Sequence, residues 1–208
     1  DGDVLVGIEQ KSVRDLSVRQ LREAGIAHIS EDRMTYGIVA EGSISDNMIS
    51  DRYYKPEWQK GLLLDRKKIR QAVDGLIGEY AVACDNREQP IRMLSGGNMQ
   101  KVVAAREFSS GSTLIIANQP TRGIDIAASD FIRRKLVELR TIGAGVLLIS
   151  ADLNEVMEVS DSLIVMSDGR IAAYFRDAQS ATEDELGEYM LGIRKMNAEE
   201  ICEVYEDD

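Results

Sequence analysis

The sequence predicts an α/β fold, and three observations carry it. Helical and strand patterns alternate along the chain. Two short apolar runs, residues 113–117 (TLIIA) and 146–149 (VLLI), have the length and composition of core strands. Ahead of them lies a clean helical face: Ile69, Val73, Leu76, Ile77 and Tyr80 fall at i, i+4, i+7, i+8 and i+11.

Residues 18–24 read as a short helix ended by Gly25, and residues 26–29 as a strand. A helix over 67–82 follows, and a second is expected to begin near Asn98, after Ser95-Gly96-Gly97. The run 113–117 is expected as a strand buried on both faces. Ile132, Leu136 and Leu139 mark another helix, which Gly143 and Gly145 break before a second buried strand at 146–149. Residues 152–159 are helical. SLIVMS (162–167) and RIAAYF (170–175) form a hairpin, because Asp168-Gly169 supplies the two positive-φ positions of a tight turn. From Glu183 onward the chain is helical and acidic. Strand–helix–strand order resumes only after about residue 113, so residues 43–110 read as a helical insertion into an α/β body.

The 208 residues are 44% hydrophobic and 29% charged, which excludes collagen, a disulfide mini-protein and a wholly disordered chain. No run approaches the ~18 apolar residues of a membrane span. The first residues, DGDVLVGIEQ, lack the basic-then-apolar order of a signal peptide, so the default compartment is the cytoplasm. Cys84 and Cys202 lie far apart without metal-ligand spacing and read as reduced thiols. The net charge is −11, of which ten acids and two bases in residues 182–208 supply −8. The body is nearly balanced, and without a basic stripe it does not suit nucleic acid. The acidic end reads as a solvated face or a frayed terminus.

The strongest chemical signal is Leu94-Ser95-Gly96-Gly97-Asn98-Met99-Gln100-Lys101 ahead of a helix. Two glycines let a ligand approach the backbone, the helix start offers unpaired N–H groups to an anion, and Ser95 adds a hydroxyl. Taken alone, the segment reads equally as a turn that merely starts a helix.

What lies downstream decides between them. TLIIA runs into Asn118-Gln119-Pro120-Thr121-Arg122-Gly123-Ile124-Asp125, and after a further helix VLLIS runs into Ala151-Asp152-Leu153. That order resembles the ABC-type ATPases: signature loop, Walker B strand, D-loop, switch strand. LSGGNMQK and QPTRGID resemble the ATP-binding subunits of bacterial simple-sugar and nucleoside importers, in which two such domains are fused in tandem. Residues 25–33, GIAHISEDR, are similar to the Q-loop segment of the second, C-terminal domain. The likeness covers about residues 1–194.

The resemblance implies a P-loop NTPase fold of the ABC type, beginning after the phosphate loop. It divides the chain into a truncated α/β core with the Q-loop (1–42), a helical signature subdomain (43–112), an α/β core with Walker B, D-loop and switch strand (113–182) and an acidic helical segment (183–208). It also implies ATP with Mg²⁺, membrane-spanning permease subunits, indirectly a solute-binding protein, and a place on the inner face of the cell membrane. The implied nucleotide contacts are Ser95, Gly96, Gly97, Gln100, Glu31, Asn118 and Asp125, with Asn118 and Glu31 at the metal.

Departures from the pattern matter as much. No G-x-x-x-x-G-K-S/T occurs, nor any Gly-Lys. Asn118 stands at the Walker B aspartate, Gln119 at the catalytic glutamate, Ala151 at the switch histidine and Glu31 at the Q-loop glutamine. An amide neither takes a proton from water nor offsets metal charge. The expected role is therefore a domain degenerate at its own site that completes a tandem partner's ATP site through its signature loop. The alternatives are an active ATPase domain, a non-transport ATPase head (which should show coiled coils and carboxylates at 118 and 119) and a plain interaction module. A chain starting at Asp1 is further expected to leave TLIIA and VLLIS with an unpaired neighbour and a bare face. It would then form a homodimer, or move its strand at residues 4–8 into the gap.

Three lesser features complete the reading. His28, the only histidine, reads as structural. Tyr36, Tyr53, Tyr54 and Trp58 form either a cap on a small core or a patch against the permease. Met93 and Met99 read as packing residues.

Overall fold

The computed structural model describes residues 4–6, 11–197 and 199–201. Cys202 and the acids Glu203, Glu206, Asp207 and Asp208 lie outside them, as do residues 7 and 8 of the expected first strand. The chain forms two compact units, Asp1–Leu147 and Leu148–Asp208. No described helix is long and apolar enough to cross a membrane.

The first unit opens with β1 (Leu5–Val6) and β2 (Lys11–Ser12), which pair with each other antiparallel. Leu5 and Val6 therefore do not take the expected place beside the main strands. Helix α1 (Val18–Glu23) is fixed by a capping box, Ser17 with Gln20, and ends at Gly25 with φ 86°. A β-carbon at Gly25 would meet Thr113 Oγ1 at 2.9 Å, so the turn requires glycine on two counts. Strand β3 (Ile26–Ile29) follows, then α2 (Ile44–Ile49), a small hairpin of β4 (Gln59–Lys60) and β5 (Leu63–Leu64), and α3 (Arg66–Glu79). Of the apolar face of α3, Ile69 and Val73 are buried, as is Tyr80 at its end, while Leu76 and Ile77 are half-buried. Next come α4 (Gly96–Phe108), β6 (Leu114–Asn118), α5 (Ile126–Thr141) and β7 (Gly145–Ile149), whose last two residues begin the second unit. Gly143 (φ 98°) ends α5 as expected, but Gly145 opens β7 instead of breaking a helix.

The sheet order is β3-β6-β7, with β3 and β6 parallel and Ala27 opposite Ile115, Ile29 opposite Ala117. Ala27, Ile29, Ile115 and Ala117 are buried, whereas His28 between them is exposed. Only one face of this pair is closed among the described residues, which corrects the expectation of strands buried on both faces. In β7 the departure from double burial is larger, with Leu147 50% and Ile149 45% exposed, and this is the bare face expected of VLLIS. The unpaired-neighbour expectation fails for β6, which is central with a strand on each side, and holds for β7, which lies at the edge among the described residues.

Helix α4 holds the unit together. Val102, Val103, Ala104, Ala105 and Phe108 are buried, and so are Arg106 and Glu107. Glu107, with no exposed surface, accepts hydrogen bonds from both Arg22 terminal nitrogens, from Arg106 Nε (2.9 Å) and from the His28 N–H (3.2 Å). Arg106 reaches onward to Gly37 O (2.9 Å) and Ser50 Oγ (3.3 Å), while Arg52 donates to Ser109 O (3.0 Å) and pairs with Asp51. One buried carboxylate thus ties α1, β3 and, through Arg106, α2 to α4. His28 takes part through its backbone alone.

Burial by itself would raise the Glu107 carboxyl, but the Arg22 hydrogen bonds and the Arg106 and Arg22 charges outweigh it and hold the group below its ordinary value of 4.5. A carboxyl depressed in the native state stabilises the fold fully above about pH 4.5, and that contribution is lost as pH falls through the native value. We expect the melting temperature to drop below about pH 4.5, with Glu107→Gln flattening that limb. An unchanged acid limb in the variant would contradict the assignment.

The second unit packs α6 (Leu153–Val159), the hairpin β8 (Leu163–Ser167) and β9 (Arg170–Phe175), and α7 (Glu183–Met190). Asp168 (φ 49°) and Gly169 (φ 72°) make the expected turn. Ala172 and Ala173 on β9 share a core with Leu163, Val165, Leu186 and Tyr189. Thr182 and Glu185 form a capping box, and Glu183, Asp184 and Glu185 face the positive end of α7. Glu183, Asp184, Glu185 and Glu188 are thus part of a packed, capped helix, with Glu183, Asp184 and Glu188 on its solvated face. The helix does not run on: Gly192 (φ 70°) turns the chain, and Met196 N–H donates to Ala172 O (2.9 Å).

Candidate functional site

The parallel register places Glu31 and Gln119 each two residues beyond the rung Ile29–Ala117. In open α/β sheets, ligands bind in the crevice outside the carboxyl ends of the strands. Asn118 closes β6 and is half-buried. Gln119 turns the chain with φ 50°, an uncommon conformation for a side chain of this size, and its carbonyl accepts the Arg122 N–H (3.1 Å). Asp125 then caps α5 by accepting the Ala128 N–H (2.9 Å).

Helix α4 begins against this loop. Ser95 is its N-cap, accepting from Asn98 N–H (3.4 Å) and Asn98 Nδ2 (3.0 Å). The first-turn N–H groups ahead of Asn98 have no intrahelical partner, which is what an anion requires. The two glycines have a further reason that spacing alone does not reveal. A β-carbon at Gly97 would lie 2.6 Å from Asp125 Oδ2 and 2.9 Å from Ala128 Cβ. One at Gly96 would lie 3.1 Å from Arg33 Nη2 and 3.4 Å from Gly123 O. Gln100 is buried and donates through Nε2 to Pro120 O (2.7 Å), so its amide is engaged inside the chain. The start of α4 and the loop of residues 119–125 are built into one another.

A third segment locks onto the same loop. Arg33 donates to Arg122 O (2.8 Å) and Gly123 O (3.2 Å), and the Glu31 carboxylate pairs with the Arg122 guanidinium. Asp32 holds this segment by accepting from Met34 N–H and Thr35 N–H (3.0 Å each) and from Thr35 Oγ1 (2.6 Å). The Thr35 hydrogen bonds hold the Asp32 carboxyl below its usual range.

Ser95, Gly96, Gly97, Gln100, Glu31, Asn118, Gln119 and Asp125 therefore all belong to the first unit, most of them on this one ring of contacts. Ala151 is exposed and belongs to the second unit. Sequence reasoning gave no role to Arg33 or Arg122, whose partners lie about ninety residues away. Among the described residues no group of three His, Cys, Asp or Glu side chains could hold a metal. Met93 is 61% exposed and is not the packing residue expected, whereas Met99 is half-buried. Tyr36 and Tyr53 are exposed, with Tyr54 under the Arg19 guanidinium (3.8 Å) and Trp58 near Lys68 (5.9 Å).

The fold is that of the ABC-type ATP-binding cassettes. The dimeric post-hydrolysis structure of the ATP-binding cassette MJ0796, bound to ADP and Pi, superposes with a TM-score of 0.64, 18% identity, and coverage of 80% of this chain and 70% of that one. The ADP conformation of the cassette MJ1267 gives 0.60, 20%, 96% and 75%. No family model matches the chain. By sequence the chain is similar to the guanosine import ATP-binding protein NupO of Bacillus subtilis (strain 168), 37% identical over 193 residues, 93% of this chain and 38% of that protein. It is also similar to the nucleoside import ATP-binding protein NupA of Lactococcus lactis subsp. cremoris (strain MG1363), 35% identical over 90% of this chain and 37% of that one. The arabinose import ATP-binding protein AraG 2 of Burkholderia ambifaria is 41% identical over 85% of this chain and 34% of that one. These relatives are ATP-binding subunits of nucleoside and sugar importers, and the chain spans well under half the length of each.

Proposed function

We propose that the chain is the second of two tandem ATP-binding domains of a nucleoside or sugar importer, silent at its own site and completing its partner's. The carrying observation is the contrast within one site. Leu94–Gly97 and Asp125 are packed into a ring, while positions 118 and 119 beside it hold amides. Residues 43–112 serve as the signature subdomain, 1–42 and 113–182 as the α/β core, and 183–208 as the acidic end.

The chain's own site fits Mg²⁺ poorly. Glu31 is paired with Arg122, and Asn118 and Gln119 bring no charge, so no hydrolytic step is derived there. The signature end fits an anion: Ser95 and the first-turn N–H groups would meet the terminal phosphate of ATP held by the tandem domain. The site residues act accordingly, with Ser95, Gly96 and Gly97 at the nucleotide, Gln100 and Asp125 holding them, and Ala151 inert at the switch position. Other partners follow from the reading: permease subunits against the helical subdomain and Q-loop, a solute-binding protein at one remove, and a place on the inner face of the cell membrane.

Two measurements test this. The 208-residue chain with Mg²⁺-ATP is expected to release phosphate below ~0.1 per second, where working enzymes run at roughly 1–1,000. In the assembled importer, Ser95→Ala should lower steady-state hydrolysis roughly a hundredfold, as removal of one oriented donor does, while costing only about 1 kcal/mol of helix capping. Turnover by the chain alone, or an unchanged rate in the assembly, would reject the proposal.

A further inference from the structure

The β4–β5 hairpin presents two adjacent leucines to solvent at its tip. Leu62 is fully exposed and Leu63 76% exposed at its tip, with Gly61 (φ 65°) making the turn and no atom packed against it. Hairpin register, Gln59 opposite Leu64 and Lys60 opposite Leu63, fixes these leucines on a narrow projection, not in a groove. Its base is held by Asp65 N–H donating to Trp58 O (2.9 Å), and Asp65 caps α3 through the Lys67 and Lys68 N–H groups (3.1 Å each). That capping aims the first turn of α3, Arg66, Lys67 and Lys68, from the hairpin's base.

The charge here opposes that of the molecule. Between Lys55 and Arg70 stand six basic and two acidic residues (Glu57 and Asp65), a local +4 in a chain of −11. Lys60, Arg66, Lys67, Lys68 and Arg70 are all exposed. An apolar tip flanked in the chain by a half-buried tryptophan and bases at its base matches the layering of a bilayer surface, with acyl chains for the leucines, the interface for the ring and anionic headgroups for the cations.

We propose that the β4–β5 tip is a membrane-docking element that dips Leu62 and Leu63 into a bilayer rich in anionic phospholipid, with Lys60, Lys67 and Lys68 on its headgroups. This goes beyond the importer reading and does not depend on it. Trp58 is the only tryptophan, so its fluorescence reports on the hairpin base.

The test mixes the 208-residue chain with vesicles of phosphatidylcholine alone or with about 30 mol% phosphatidylserine. Sedimentation and a blue shift of Trp58 are expected only with the anionic vesicles, and should weaken as salt rises. Leu62→Ser with Leu63→Ser should lose more than tenfold in partition. Lys67→Glu should lose at least fivefold, since each base near such a surface contributes about that factor. All these residues are exposed, so melting should not change; a variant that melts low is replaced by Leu62→Ser alone. No binding to anionic vesicles, or undiminished binding by the leucine variant, overturns the proposal. If vesicles fail and the leucine variant instead loses the permease, the tip is a protein contact and the lipid assignment is wrong.

Discussion

Replacing Glu107 with Ala is expected to destabilise the first unit by about 3–5 kcal/mol, the cost of breaking a buried ion pair from one side. The carboxylate is fully buried and accepts from Arg22, Arg106 and the His28 N–H. Its removal strands the mostly buried Arg106 guanidinium on one side and an uncapped strand N–H on the other. With a total margin of about 5–15 kcal/mol, the urea midpoint should fall by roughly 1–3 M. The control lies on the same helix as Arg22: Arg19 and Glu23 pair at 2.9 Å but remain largely exposed, so Glu23→Gln should change little. Equal effects of the two substitutions would mean that burial does not set the strength of the Glu107 cluster.

The second large effect is expected at Gly97. Valine there places a β-carbon within 2.6 Å of Asp125 Oδ2 and 2.9 Å of Ala128 Cβ. Asp125 cannot move aside without giving up its cap on α5, and Ala128 is fixed by the helix. Overpacking of about 1–3 kcal/mol and a lost cap of about 1 kcal/mol should combine, with α4 pushed off α5. Because folding and the signature loop suffer together, Gly97→Val cannot by itself establish a nucleotide role, which is why Ser95→Ala is the sharper probe. Gly75 offers the contrast: it lies within α3 with nothing within 4 Å of its β-carbon position, so Gly75→Ala should stabilise by about 0.5–1 kcal/mol. If Gly97→Val melts like the parent chain, the packing reading of this glycine is wrong.

What the sequence disclosed was local. Asp168-Gly169 announced its hairpin because two adjacent positive-φ positions leave few alternatives, and Gly25 announced the end of α1 through its own positive φ. The helical face from Ile69 to Tyr80 was visible as a period. The segments 94–101 and 119–125 stood out as motifs, but not as partners: that Gly97 is required by Asp125, or that Gln100 holds Pro120, depends on where two distant segments meet. Glu107 gave no hint at all, since a glutamate in a helix ordinarily faces water and its three donors come from residues about eighty positions earlier or from its own neighbour. The composition of β7 pointed to double burial, because Val, Leu and Ile in a row look the same whether covered or bare, and only the missing phosphate-loop segment signalled its open face.

The pairing of β3 with β6 has a consequence in time. Ile26 meets Leu114 across 88 residues, so the sheet closes only after the whole helical segment between them exists. At a synthesis rate of about 5–20 residues per second, β3 waits roughly 4–18 s for its neighbour to be made. Helix α4 is complete just before β6 and carries Glu107, whose bonds to Arg22 and the His28 N–H already span most of that distance. Closing that link first leaves β6 only a short search for its register. The carboxylate that stabilises the finished unit would then also set the order of its assembly, and Glu107→Ala should slow refolding as well as hasten unfolding.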